Sequence, residues 1–115
     1  MDSATEWSRS EKKIARRAFE AALDKALAKA IADFKTRAAA VSTPLEMWTI
    51  GDDLRRQRRE IDEIFDYRYS RLTHVFAELI YLGFLDEAAL AGLAGAKLAD
   101  IHRTLTFKRR DGAEQ

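Results

Sequence analysis

The side chains best placed to do work in this sequence are a tryptophan and a set of charges, Trp48, Asp52, Arg55 and Arg59. At about 100° per residue these four fall on one strip of a helix, with Arg58 between that strip and the neighbouring apolar face. A large aromatic flanked by arginines outside the core face has the composition of a protein-binding hot spot. The same residues also have a purely structural use. Trp48 can be covered by the first helix or at a dimer seam while the arginines are neutralised by Asp62 and Glu63 one turn on.

Covalent chemistry finds less to work with. There are no cysteines, which removes disulfides, thiol nucleophiles and thiolate metal sites. His74 and His102 are the only histidines, and neither stands at a metal-ligand spacing. No glycine-rich phosphate loop and no nucleophile elbow occurs, and the carboxylates sit in helical charge patterns, so the reading is of a protein without catalytic residues, cofactor or metal. The basic run from Arg55 to Arg59 is followed at once by Glu60, Asp62, Glu63 and Asp66, and 20 basic against 19 acidic residues leave a net charge of +1. That balance supplies no field for nucleic acid, and no recognition motif accompanies the run.

The elements that must carry these residues are helices. With 47% hydrophobic and 34% charged residues, five glycines and one proline, the composition is that of an all-α single domain spanning 1–115. Ser8 and Glu11 form a capping box that opens a long helix over about 8–40, on which Ile14, Phe19, Leu23, Leu27, Ile31, Phe34 and Ala38 make an apolar stripe. Thr43, Pro44 and Glu46 cap a second helix, expected over about 44–82 with continuity or a slight bend at Gly51, ending at Gly83. Its stripe is Met47, Leu54, Ile61, Phe65, Leu72, Phe76 and Leu79. A small helical head follows over about 84–106, with Asp86 capping a short helix and another running from Lys97 to Leu105, before a frayed tail at 107–115.

A helix of nearly forty residues is about 60 Å long, whereas a compact domain of this size spans about 35 Å. Its stripe would stay exposed unless a second copy covered it, which predicts a homodimer with Met47, Leu54 and Ile61 in the seam. The N-terminal residues are polar and no segment reaches the length of an apolar membrane span, so the expected location is cytoplasmic.

The stretch from Pro44 to Leu85 carries a more specific signal. Met47-Trp48, Asp52, Arg58-Arg59-Glu60-Ile61-Asp62, Phe65-Asp66-Tyr67-Arg68-Tyr69-Ser70, Val75-Phe76-Ala77-Glu78-Leu79 and Gly83 resemble the fluorescence recovery protein family, with weaker similarity at Trp7-Ser8, Glu11, Leu93 through Leu98 and Ile101. The resemblance implies an all-helical homodimer that binds the photoactivated orange carotenoid protein and speeds its return to the resting form, without covalent chemistry. It implies a partner surface at Trp48, Asp52 and Arg58. Gly51 stands where the resemblance implies a histidine, and in the head His74 and Asp100 replace an aromatic and a lysine. Those changes mark a possible second partner surface and leave an alternative, a diverged helical adaptor for a different signalling or stress protein in a host without phycobilisomes.

Overall fold

The computed structural model describes residues 6–114, and no strand occurs among them. Helix α1 runs Arg9–Ala39, α2 Pro44–Ile64, α3 Leu72–Tyr81 and α4 Gly95–Glu114, with a short 3-10 turn at Glu87–Leu90 between the last two. α1 and α2 pack as a pair that forms a stem, and α3 and α4 form a head against the N-terminal half of α1. The molecule measures 57 × 34 × 22 Å, with a radius of gyration of 17.0 Å. A compact domain of this length would have about 13 Å.

Both capping predictions describe real helix starts. Ser8 Oγ accepts from the Glu11 amide while the Glu11 carboxylate accepts from the Ser8 amide, and Thr43 Oγ1 accepts from the Glu46 amide ahead of Pro44. Gly83, at φ +85°, ends α3 in a Schellman motif: its amide donates to Ile80 and that of Phe84 to Leu79.

The continuous helix over 44–82 is not present. Helix α2 stops at Ile64, residues 65–71 are non-helical, and α3 starts afresh at Leu72. The reason lies in a change of period. Phe65, Tyr67 and Tyr69 alternate with Asp66, Arg68 and Ser70, and a helix would scatter those three rings around its circumference. Instead the Asp66 amide donates to the Ile64 carbonyl and the Arg68 amide to the Asp66 carbonyl, two γ-turns that repeat every two residues. Phe65 and Tyr67 accordingly both meet Phe19 of α1 edge-on, at 5.4 and 4.9 Å between ring centres, and Tyr69 stacks obliquely on Trp7 at 5.7 Å. Outside the helix, Arg68 grips Asp66 with Nε at 2.8 Å and holds that carboxyl below the usual carboxylate range.

The tail is also different from expectation: α4 continues to Glu114 in place of a frayed segment at 107–115. Lys108 pairs with Glu78 of α3, and Gly112 leaves room for the Tyr81 hydroxyl, which a Cβ there would crowd. These contacts fasten the last turns of α4 to α3.

The core lies in the head. Leu72, Phe76, Leu79, Leu90, Ile101 and Leu105 are fully buried, together with Ala15, Ala18 and Ala22 of α1. The alanines matter for their small size, because they let the head and the 3-10 turn approach the α1 backbone closely. At Gly92, φ is +103°, the conformation that requires glycine, and Ile14 Cδ1 lies 2.7 Å from where a Cβ would stand, so a side chain there would also have to displace the end of Ile14. The predicted apolar stripe of α1 is therefore only partly core: Phe19 is buried, but Leu27, Ile31 and Phe34 are exposed.

A buried clasp ties the start of α1 to the head. The Glu11 carboxylate accepts from the Ala94 amide at 2.9 Å and meets Lys97 Nζ at 3.2 Å; that ammonium also donates to the Glu6 carbonyl and lies over the Trp7 ring. Burial pushes the Glu11 carboxyl up, but hydrogen bonds from the Ser8 and Ala94 amides and from Lys97 outweigh it and hold the group at about 2.

Candidate partner-binding surface

Helix α2 touches α1 through Ile50, its one buried residue, and through Asp53, which receives Arg37 of α1 at 2.7 Å and Arg56 of its own helix at 2.6 Å. The Arg37 hydrogen bond holds the Asp53 carboxyl below its ordinary value. These contacts fix the rotation of α2, and its pitch then points Trp48, Asp52, Arg55 and Arg59 away from α1.

Trp48 is 63% exposed, so α1 does not cover it. Asp52 accepts from Arg55 Nη1 at 3.0 Å, one turn along the helix, which holds the two side chains together on the strip that carries Trp48. Arg58 and Arg59 are exposed and carry no carboxylate partner among the described residues, so Asp62 and Glu63 do not neutralise them. The strip thus offers a large apolar ring, one carboxylate already bridged to a guanidinium, and two unengaged guanidiniums able to make bidentate hydrogen bonds. Gly51 has open space around it, and α2 continues through it as a helix.

Beside this strip, Met47 is 48% exposed and Leu54 38%, with Ile61 half-buried. Leu27, Ile31 and Phe34 of α1 and Leu45 of α2 add to the uncovered apolar surface of the stem.

The head residues separate. His74 lines a cleft of about 580 Å³ between the end of α2, α3 and α4, with Ile64, Val75 and Phe107 as its apolar wall and Arg71, Glu78 and Arg103 around it. Asp100 is not among the residues lining that cleft and pairs with Arg103 at 3.6 Å. His102, without an assigned role in the sequence, faces Glu87 at 3.1 Å.

Residues 7–105 match the family model described as photoprotection regulator fluorescence recovery protein. This chain belongs to the fluorescence recovery protein family. It is 30% identical over 95 residues to the fluorescence recovery protein of Synechocystis sp. PCC 6803, covering 83% of this chain and 87% of that one. The structure of the Fremyella diplosiphon fluorescence recovery protein superposes with a TM-score of 0.82 at 35% identity, over 86% of this chain and 97% of that chain. The Synechocystis structure gives the same TM-score at 29% identity and the same coverage. The all-α class and the family resemblance read from Pro44 to Leu85 therefore stand. Among the described residues no helix is long and apolar enough to cross a membrane.

Sequence reasoning missed one feature of the surface. Asp53 was passed over in favour of Asp52, although it is the carboxylate that docks α2 on α1. The signal was available in phase: Asp53 lies close to Ile50 and Gln57 around the helix, on the side opposite Trp48.

Proposed function

We propose that this chain is a non-enzymatic, homodimeric regulator that binds the photoactivated orange carotenoid protein through the Trp48 strip of α2 and accelerates its return to the resting state. The observation that carries the reading is an exposed indole on the same helical strip of α2 as the Asp52–Arg55 pair, in a member of a photoprotection regulator family. Trp48 supplies rigid apolar contact, while Asp52, Arg55, Arg58 and Arg59 set orientation through charge-assisted hydrogen bonds. Such a surface speeds a conformational return by binding the structure at the barrier more tightly than the active conformer.

The homodimer rests on the stem. Its elongation and the uncovered Leu27, Ile31, Phe34, Met47 and Leu54 favour a second copy, with Met47, Leu54 and Ile61 in the seam. Light scattering should give twice the chain mass at micromolar concentration, and Met47→Glu should shift it to one chain by placing an unpaired carboxylate in the seam. A dimer that survives that change has its seam elsewhere.

The deciding assay is the dark recovery of photoactivated orange carotenoid protein, followed by absorbance with and without an equivalent of this chain. Acceleration that Trp48→Ala removes establishes activity and site together. No acceleration by folded, dimeric protein favours the second reading, a helical adaptor for another protein partner, for which the His74 cleft and the negative Asp100 on the head are the features to test first.

A further inference from the structure

A second surface, remote from the Trp48 strip, lies on the first turns of α1. Arg9, Lys12, Lys13, Arg16 and Arg17 place five cations within nine residues of a chain whose net charge is +1. The one acid among them, Glu11, is turned inward to Ala94 and Lys97 and so does not offset them. Arg9, Lys12, Lys13 and Arg17 have no carboxylate partner among the described residues, and Arg16 reaches only Glu20, at 4.0 Å.

Three observations mark this as more than a solvated helix face. Arg9 and Lys12, in the first turn of α1, oppose the macrodipole, a local cost that charges in the last turn would have avoided. The break after α2 delivers Tyr67 and Tyr69 to the same trough, where Arg16 stands over the Tyr67 ring at 4.0 Å and Lys12 over that of Tyr69 at 5.1 Å. The rings hold two of the cations without neutralising them. The trough also changes sign along its length, because Glu20 and Asp24 line its far end.

That change of sign selects the partner. From Arg9 to Arg17 the positive portion extends about 12 Å at 1.5 Å per residue. A nucleic acid or an anionic membrane presents uniform negative charge and would continue onto Glu20 and Asp24. A protein segment with carboxylates over about two helical turns, followed by basic residues, meets both ends favourably. We propose that the Arg9–Arg17 face, with Tyr67 and Tyr69 behind it, is a docking surface for a protein segment of blocked charge, acidic in one half and basic in the other. The surface is independent of the Trp48 strip and does not rest on the carotenoid-protein reading.

The test uses three fluorescent probes at low ionic strength with the full chain: a peptide with its glutamates in one half and lysines in the other, a peptide of the same composition with the charges interleaved, and an oligothymidylate of similar length. The blocked peptide should bind about tenfold more tightly than either other probe. Lys13→Glu with Arg17→Glu should abolish that binding, and Trp48→Ala should leave it unchanged. Helicity by circular dichroism controls for folding, and Lys13→Gln with Arg17→Gln, expected to weaken binding without reversing charge, serves if the double reversal unfolds. Glu20→Lys with Asp24→Lys should turn the preference toward oligothymidylate. Equal binding of the two peptides, tighter binding of oligothymidylate by the unmodified chain, indifference to both Lys13/Arg17 variants, or loss on Trp48→Ala would each overturn the proposal.

Discussion

The head and the stem are built from the same residue types, but they solve the burial problem in different ways. In the head, Phe76, Leu79, Ile101 and Leu105 close over the alanine face of α1, and the Glu11–Lys97 clasp is shut away with every oxygen of its carboxylate engaged. In the stem, Ile50 is the one buried residue of a 21-residue helix, and Leu27, Ile31, Phe34, Met47 and Trp48 remain open. The head therefore carries the stability of the single chain, while the stem displays the surface available to other molecules. Regions that must bind are drawn from the less self-contained part of a fold, because a face already covered by its own chain has nothing left to offer.

The largest effect expected from this contrast is in the core of the head. Phe76→Ala, at a fully buried position, should lower unfolding free energy by about 3–5 kcal/mol in urea titration. Trp48→Ala, despite removing a larger side chain, should change it by less than about 0.5 kcal/mol while weakening partner binding by about 2 kcal/mol. Comparable destabilisation by the two substitutions would dissolve the distinction between head and stem.

The clasp comes next. Glu11→Ala leaves Lys97 buried without its carboxylate and should cost about 3 kcal/mol. The Glu11 carboxyl has a folded-state value of about 2 against an ordinary 4.5, so its contribution is fully present above 4.5 and is lost as pH falls toward about 2. Glu11→Gln should accordingly flatten the fall in stability across that window, measured as urea midpoint against pH. A wild-type slope retained by the variant would assign acid sensitivity to other carboxylates.

The part of this arrangement that could be read in advance was the part governed by local chemistry. Ser8 with Glu11, Thr43 with Pro44, and Gly83 each satisfy backbone groups within a turn, and all three mark helix ends in the structure. The break at Phe65 was missed because the apolar stripe kept helical phase across it through Ile61, Phe65 and Leu72, although the alternation of Phe65, Tyr67 and Tyr69 with Asp66 and Arg68 carried a period of two. Tertiary contact with Phe19 and Trp7 decided between the two periods. Ala15, Ala18 and Ala22 lie outside the apolar stripe read for α1, and their burial reflects a close approach that only the folded head defines. The candidate surface was legible as a strip because helix phase places Trp48, Asp52, Arg55 and Arg59 together. Which side of α2 faced α1 depended on Ile50 and on the Asp53–Arg37 contact; phase groups Asp53 with Ile50, but the Arg37 side chain that makes it the docking carboxylate belongs to another helix.

The smallest effect expected is also the one that separates the two regions most directly. Thr43→Ala removes the side-chain acceptor for the Glu46 amide at the start of α2 and should cost about 1 kcal/mol locally. The cap lies at the exposed end of the stem, away from the Glu11–Lys97 clasp, so hydrogen exchange should quicken over the first turns of α2 while protection of α3 and α4 stays as it was. If the stem is covered by a second copy, the quickening should grow as the protein is diluted, since the loosened turns then lose intermolecular contacts as well. Quickening spread evenly through α3 and α4 would mean that head and stem unfold as one unit, and the division of labour between them would have to be abandoned.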